Sequence, residues 1–146
     1  LCRSIFDRWG KIRLWAHTAI HAAPLGPVIT IDSKDWEKSI KSNVTALTKL
    51  IPMVSPLLEE DGKAVFFEDT TIMKKFSSIY GATKAAQLHI VKTWKEECKT
   101  TGPQIYILQP NPMPTAVRAR FYPGESRKKL QSVEIEAKRL VSLLEL

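Results

Sequence analysis

The chain has 146 residues, 44% of them hydrophobic and 25% charged, and a net charge of +7. That is enough for one domain with a packed core and too apolar for a disordered chain, and no window holds the run of about 18 apolar residues that a membrane span needs. Two cysteines, Cys2 and Cys98, do not make a metal or disulfide framework; they read as reduced thiols of a cytoplasmic protein, although an even pair leaves a bridge open. The basic residues are scattered in short groups such as Lys74-Lys75, Arg127-Lys128-Lys129 and Lys138-Arg139. With no zinc-finger or RNP signature and no interleaved aromatics, they read as a solvated surface rather than a nucleic-acid footprint.

The opening "LCRSIFDRWG" has neither an initiator Met nor a secretory pattern, so it reads as part of a longer polypeptide. "KIRLWAH" (11–17) is a short apolar run suited to a buried strand, and "AAPLGPVITIDS" after it, broken by Pro24, Gly26 and Pro27, is a loop. Asp32 or Ser33 can cap the next helix, which is expected to run to about Glu59. Its apolar positions Trp36, Ile40, Val44, Leu47, Ile51, Val54 and Leu58 form one stripe, with Ala46, Leu50, Met53 and Leu57 beside it. So wide a surface predicts burial on two sides, one against a sheet and one against a partner, and Pro52 and Pro56 should kink or end the last turns. "DGK" (61–63) reads as a turn and "AVFFED" as a second strand. A helix from about Ser77 to Thr100 stops at Gly102-Pro103, "QIYILQP" is a third strand, and a long irregular segment leads to a last helix over 133–144. Strand and helix in alternation predict an α/β fold with parallel strands and crossover helices.

"SIYGATK" (78–84) places Tyr80 and Lys84 four residues apart, hence on one face of a helix. A free tyrosine, with a pKa of about 10, is a poor acid–base catalyst near neutral pH. A neighbouring ammonium favours the phenolate and makes the pair a usable proton shuttle. The spacing alone is common by chance, and a half-buried tyrosine on a surface helix explains it equally well. His17 and His21 read as satisfied polar residues rather than metal ligands, since a catalytic zinc wants three protein ligands. The four tryptophans read as core or interface aromatics.

Position adds to the spacing. The segments "FDRWGKIRLWAHTA", "DWEKSIKSNVTALTKLIPMVSPLL", "GKAVFFEDT", "YGATKAA" and "IYILQPNPMPTAVRA" together resemble, in order and spacing, the short-chain dehydrogenase/reductase family. "NPMPTAVRARFYP" is most like its YciK-type bacterial subgroup. The resemblance implies a partial Rossmann-like doubly wound sheet. Residues 1–146 would be the C-terminal half of one domain, with the dinucleotide-binding half and its glycine-rich turn upstream of Leu1. It implies NAD or NADP as cofactor, with a lean to NADP, and hydride transfer to or from a small carbonyl or alcohol substrate. Tyr80 would be the acid–base, and Lys84 would bind the nicotinamide ribose and lower the tyrosine's pKa. Asn43 would hold a proton-relay water, Pro110 would lie over the nicotinamide, and Thr115 would contact its carboxamide. A homo-dimer or tetramer through helices 33–59 and 77–100 is expected.

Four departures from the family pattern qualify this reading. Asn-Asn-Ala-Gly becomes His17-Thr18-Ala19-Ile20, replacing a glycine that lets backbone approach the cofactor. Pro-Gly becomes Pro110-Asn111, Asn being the next most tolerant residue of positive φ. The catalytic serine falls at Asp69, where a carboxylate would raise the pKa of Tyr80, with Thr70 as the substitute hydroxyl. The loop "TIMKKFSS" before Tyr80 is short. They motivate the alternative of a catalytically degenerate relative serving as an oligomerisation or interaction module.

Overall fold

The computed structural model describes residues 1–69 and 74–145. Three parallel strands form one sheet in the order β1 (Ile12–Ala16), β2 (Leu58–Phe67), β3 (Gln104–Leu108). Because β2 is central, its residues alternate between two covered faces. Ala64 and Phe66 point into a core with Leu47, Val91, Trp94 and Ile105, whereas Val65 joins Leu108 and Leu144 on the opposite side. Helices α3 (Ala46–Val54) and α4 (Ser78–Glu97) cover the first face, and α6 (Val133–Ser142) leads to Leu144 on the second. The α/β fold with three parallel strands and crossover helices is the one the sequence predicts. Among the described residues no helix is long and apolar enough to cross a membrane.

Several boundaries differ from expectation. An N-terminal helix α1 (Cys2–Trp9), not foreseen as an element, precedes β1; it buries none of its residues. The "DGK" stretch lies within β2 rather than in a separate turn. The register nevertheless jumps there, with Ile12 opposite Leu58 and Leu14 opposite Lys63. Gly62 closes this irregularity, since a Cβ on it would sit 2.9 Å from the backbone N and O of Glu59.

The long second helix is three pieces: α2 (Ser33–Ser39), a π-helical turn Ile40–Thr45 and α3, ending in a 3₁₀ turn Ser55–Leu57 that contains Pro56. Asp32 caps it as expected, accepting from the Asp35 N–H at 2.9 Å. Helix α3 continues through Pro52 before giving way to that 3₁₀ turn. Only part of the apolar stripe is buried: Leu47, Val54, Leu57 and Leu58 are, while Trp36 and Met53 face solvent. Of the tryptophans, Trp15 and Trp94 pack in the core and Trp9 is exposed.

Candidate active site

In a parallel sheet the loops leaving the carboxyl ends of the strands open on one edge, where ligands bind. Here His17 follows β1, Asp69 follows β2 and Pro110 follows β3. Helix α4 starts at the same edge, so Tyr80 and Lys84 project from its first turns toward these loops. Its start is tied down by Ser78 Oγ donating to the Gly26 carbonyl at 2.8 Å and by the Gly26 N–H donating to Phe76 O at 2.7 Å. Phe76 turns the chain into the helix at φ 69, a left-handed conformation uncommon for an aromatic residue. These elements enclose a cavity of about 300 Å³ whose lining includes His17, Ile20, Asp69, Tyr80, Lys84, Pro110, Thr115 and Arg118. The catalytic and cofactor residues expected from the sequence thus converge there, except Asn43, which lies behind the wall, and Thr70, which falls outside the described residues.

Tyr80 is 4% exposed and packs edge-on against Phe121, ring centroids 4.8 Å apart. Its hydroxyl donates to Asp69 Oδ2 at 2.9 Å. Burial pushes the phenol's pKa well above the usual tyrosine range, and the charge and hydrogen bond of Asp69 push it further in the same direction. The expected lowering by Lys84 therefore does not govern Tyr80; burial does, reinforced by the carboxylate at the serine position. Lys84 is itself buried and its ammonium donates to Gln87 Oε1 at 2.6 Å. Desolvation lowers its pKa to about 8, against the opposing pull of Asp69 and Glu68.

Asn43 sits in the π turn and is fully buried. Its amide pairs with one residue of the loop after β1 as a peptide group would: Oδ1 accepts from the His21 N–H at 2.7 Å and Nδ2 donates to the His21 carbonyl at 2.9 Å. Nδ2 also donates to Thr83 Oγ1 at 3.0 Å. The main-chain carbonyl of Asn43 accepts from Gln87 Nε2 at 3.1 Å, so Gln87 links it to Lys84. π turns free carbonyls from the regular ladder and recur at functional sites; here the carbonyl is taken by a side chain. Gln87 lies three residues beyond Lys84, on the same helix face as Tyr80 and Lys84, which is the signal by which it could have been found.

Across the cavity, the loop after β3 is held by α6. Glu136, 1% exposed, accepts from the Asn111 N–H at 2.8 Å and from Asn111 Nδ2 at 3.0 Å. Arg139 donates to the same carboxylate and to the Gln109 carbonyl at 3.0 Å. Hydrogen bonding by Arg139, then by Asn111, lowers the Glu136 pKa to about 2. Asn111 does not have positive φ, so its place after Pro110 rests on this amide arm and not on tolerance of a left-handed backbone. Thr115 caps helix α5 (Ala116–Phe121), its Oγ1 accepting from the Arg118 N–H at 3.2 Å, which leaves the hydroxyl proton for another acceptor. Glu136 carried no motif and was not foreseen.

His17 is buried on Trp15 and Phe66, and burial, then the charge of Lys84, lowers its pKa. The described residues contain no group of three His, Cys, Asp or Glu side chains suited to a metal.

Residues 1–145 match the family model described as enoyl-(acyl carrier protein) reductase, a short-chain dehydrogenase model. The chain belongs to the short-chain dehydrogenase/reductase family. It is similar to an uncharacterized oxidoreductase of Staphylococcus aureus, 27% identical over 113 residues that make up 75% of this chain and 48% of that protein. Among solved structures it is similar to the oxidoreductase YciK from E. coli, with a TM-score of 0.87 and 21% identity over 98% of this chain and 59% of that one. A short-chain dehydrogenase from Escherichia coli CFT073, solved with NADPH, gives a TM-score of 0.88 at 22% identity, covering 98% and 60%. The chain therefore spans about half the length of the curated relatives it matches.

Proposed function

We propose that this chain forms the C-terminal, catalytic part of an NAD(P)-dependent oxidoreductase. It would move a hydride between the nicotinamide and a carbonyl or alcohol carbon, with Tyr80 exchanging the proton at the oxygen. The observation that carries this reading is the convergence of Tyr80, Lys84 and the Pro110–Thr115 loop on one cavity at the carboxyl edge of the sheet.

The residues present fit a nicotinamide riboside. The cavity couples an aromatic and aliphatic wall, Phe121 and Val117, with a buried ammonium and a hydroxyl donor, and Ile20 packs back toward Ala22, Tyr80 and Phe121. Lys84 would hold the ribose hydroxyls, Thr115 the carboxamide, and Pro110 would lie against the ring. When bound, the nicotinamide supplies or takes the hydride. Tyr80, kept neutral by burial and Asp69, serves as the proton donor in reduction. Asn43 and Gln87 fix Lys84 and the loop after β1 and need not touch a ligand. Neighbours solved with NADP and NADPH support a nicotinamide cofactor, with NADP the form proposed.

Titration of the full-length protein with NADPH and NADH, followed by nucleotide fluorescence, tests this. Binding of one is expected, and binding of neither at millimolar nucleotide would overturn it. Tyr80→Phe should leave nucleotide binding intact and reduce turnover by roughly 10²–10⁴-fold; retained turnover would remove Tyr80 from the acid–base role. The Tyr80–Asp69 hydrogen bond also favours a second reading, a degenerate enzyme that keeps the fold as an interaction module. Nucleotide binding without turnover of any carbonyl or alcohol would select that reading.

We also propose a homo-dimer or tetramer through helices 33–59 and 77–100. A shallow groove between α3 and α4, lined by Ile51, Pro52, Ile90 and Trp94, supports it. A monomer by light scattering at micromolar concentration would count against it.

A further inference from the structure

The cavity of Tyr80 adjoins a second one, of about 360 Å³, and Phe121 and Tyr122 line both. Both rings of this shared wall are held in place. Phe121 meets Tyr80 edge-on, and the Arg118 guanidinium lies 4.1 Å from the Tyr122 ring centroid. A ligand reaching from one cavity into the other therefore runs across two aromatic side chains. The remaining walls of the second cavity come from residues 25–27 and 74–77. The Gly26 N–H joins them by donating to Phe76 O at 2.7 Å. Phe76 takes its left-handed φ of 69 at this point, yet its ring is 56% exposed and belongs to none of the packed clusters of the core. Core packing thus does not account for an uncommon backbone conformation at an aromatic residue on the cavity wall.

The two cavities differ in charge. In the first, Lys84 and Asp69 offset each other, Arg118 is bound at two points by Glu125, and Glu68 is engaged by Lys92 at 3.2 Å. In the second, Lys74 and Lys75 are the charged residues of the described lining, and no carboxylate accompanies them. Neither ammonium is paired with a described residue. The backbone beneath them is nevertheless fixed, with Ser77 Oγ donating to the Lys74 carbonyl at 2.7 Å. Two adjacent like charges beside apolar surface repel each other, and an anion between them turns that repulsion into two attractions.

We infer that this second cavity binds an anionic group of the substrate, a carboxylate or a phosphate monoester, while the reacting carbon lies at Tyr80. The inference rests on the hydride-transfer reading above and names its substrate class. That class is a carbonyl or alcohol compound whose anionic group is separated from the reacting carbon by an apolar body. Phe121 and Tyr122 carry that body between the cavities, and Leu25, Pro27 and Phe76 continue the apolar surface up to the lysines. Lys74 and Lys75, which read as solvated surface in the sequence, here select the substrate by charge.

The test uses the full-length protein with NADPH and three aldehydes that share one aliphatic chain. They are suberic semialdehyde, its methyl ester, and the same aldehyde carrying a terminal phosphate in place of the carboxylate. At least one of the two anions is expected to exceed the ester in kcat/KM by on the order of tenfold, the worth of a charge-assisted hydrogen bond, and the better of the two identifies the anion. Calorimetry should give the same margin in Kd whether or not the aldehydes are turned over. The double variant Lys74→Gln/Lys75→Gln should lose that margin while its melting, its binding of the ester and its binding of NADPH stay unchanged, because both side chains are exposed. Lys74→Arg/Lys75→Arg should keep it. An ester bound as tightly as both anions, a margin that survives the double Gln variant, or binding of none of the three would overturn the inference while leaving the oxidoreductase reading intact. Failure of both NADPH and NADH to bind would instead overturn that parent reading.

Discussion

Below Tyr80, Asn43 and Gln87 hold the cavity through neutral amides; across from it, Glu136 and Arg139 hold the loop after β3 through charge. Both networks do the same mechanical task, fixing a strand-end loop against a helix. Asn43 pairs with both backbone groups of His21, and Glu136 receives both the backbone and side-chain N–H of Asn111. The difference is that amides do not titrate over the accessible pH range, whereas a carboxylate does. One side of the site should thus be insensitive to acid and the other not. Tyr80, between them, is governed by neither but by its own burial and, after that, by Asp69.

The largest effect on stability is expected at Asn43. Asn43→Ala removes three side-chain hydrogen bonds and leaves the His21 N–H facing a void in the interior. Losing them should cost about 2–4 kcal/mol, a fall in Tm on the order of 10 °C. Because the network is neutral, the fall should be the same at neutral and at acid pH when melting is followed by circular dichroism. A variant that melts with the unaltered protein would mean that His21 finds another partner, and that the π turn is not what secures the loop after β1.

Glu136→Gln should act less strongly and with the opposite pH signature. The folded-state pKa of Glu136 is depressed from 4.5 to about 2. Its contribution is therefore complete above about pH 4.5 and is lost as pH falls through that window toward about pH 2. The Tm of the unaltered protein should drop there, and Glu136→Gln, already lacking the charge, should lose less. The gap between the two should close in acid. A gap that stays constant from neutral to strongly acid pH would place the acid sensitivity elsewhere.

The contrast also explains what could be read from sequence. The strands were legible because "KIRLWAH", "AVFFED" and "QIYILQP" are short apolar runs between helix signals. The first residues of β2 were not, since the apolar stripe carries a helix reading to about Glu59, Asp61-Gly62-Lys63 look like a turn, and the strand pairs there only through an irregular register. Tyr80, Lys84 and Asn43 were legible from helical spacing and order along the chain, and Asp69 from its count after Gly62. The partner of Lys84 was not, because an ammonium chooses among neighbours by geometry; it takes Gln87 rather than the phenol. Glu136 was hidden for a different reason. It is 25 residues from Asn111, and only the docking of α6 on the sheet brings them together.

The smallest effect tests the arm that the family pattern lacks. Asn111→Gly restores Pro-Gly after β3 and deletes the amide donor, but it keeps the backbone N–H that donates to Glu136 at 2.8 Å. Arg139 still binds the carboxylate. The clasp should therefore persist with one bond fewer, and the variant should melt slightly below the unaltered protein, much less so than Asn43→Ala. A glycine adds backbone freedom to the unfolded chain, so part of even that loss is entropic. Asn111→Ala separates the two contributions, since it removes the same bond without the added freedom. If Asn111→Ala melts with the unaltered protein and only Asn111→Gly is weakened, the amide arm contributes nothing, and the backbone N–H with Arg139 accounts for the whole clasp.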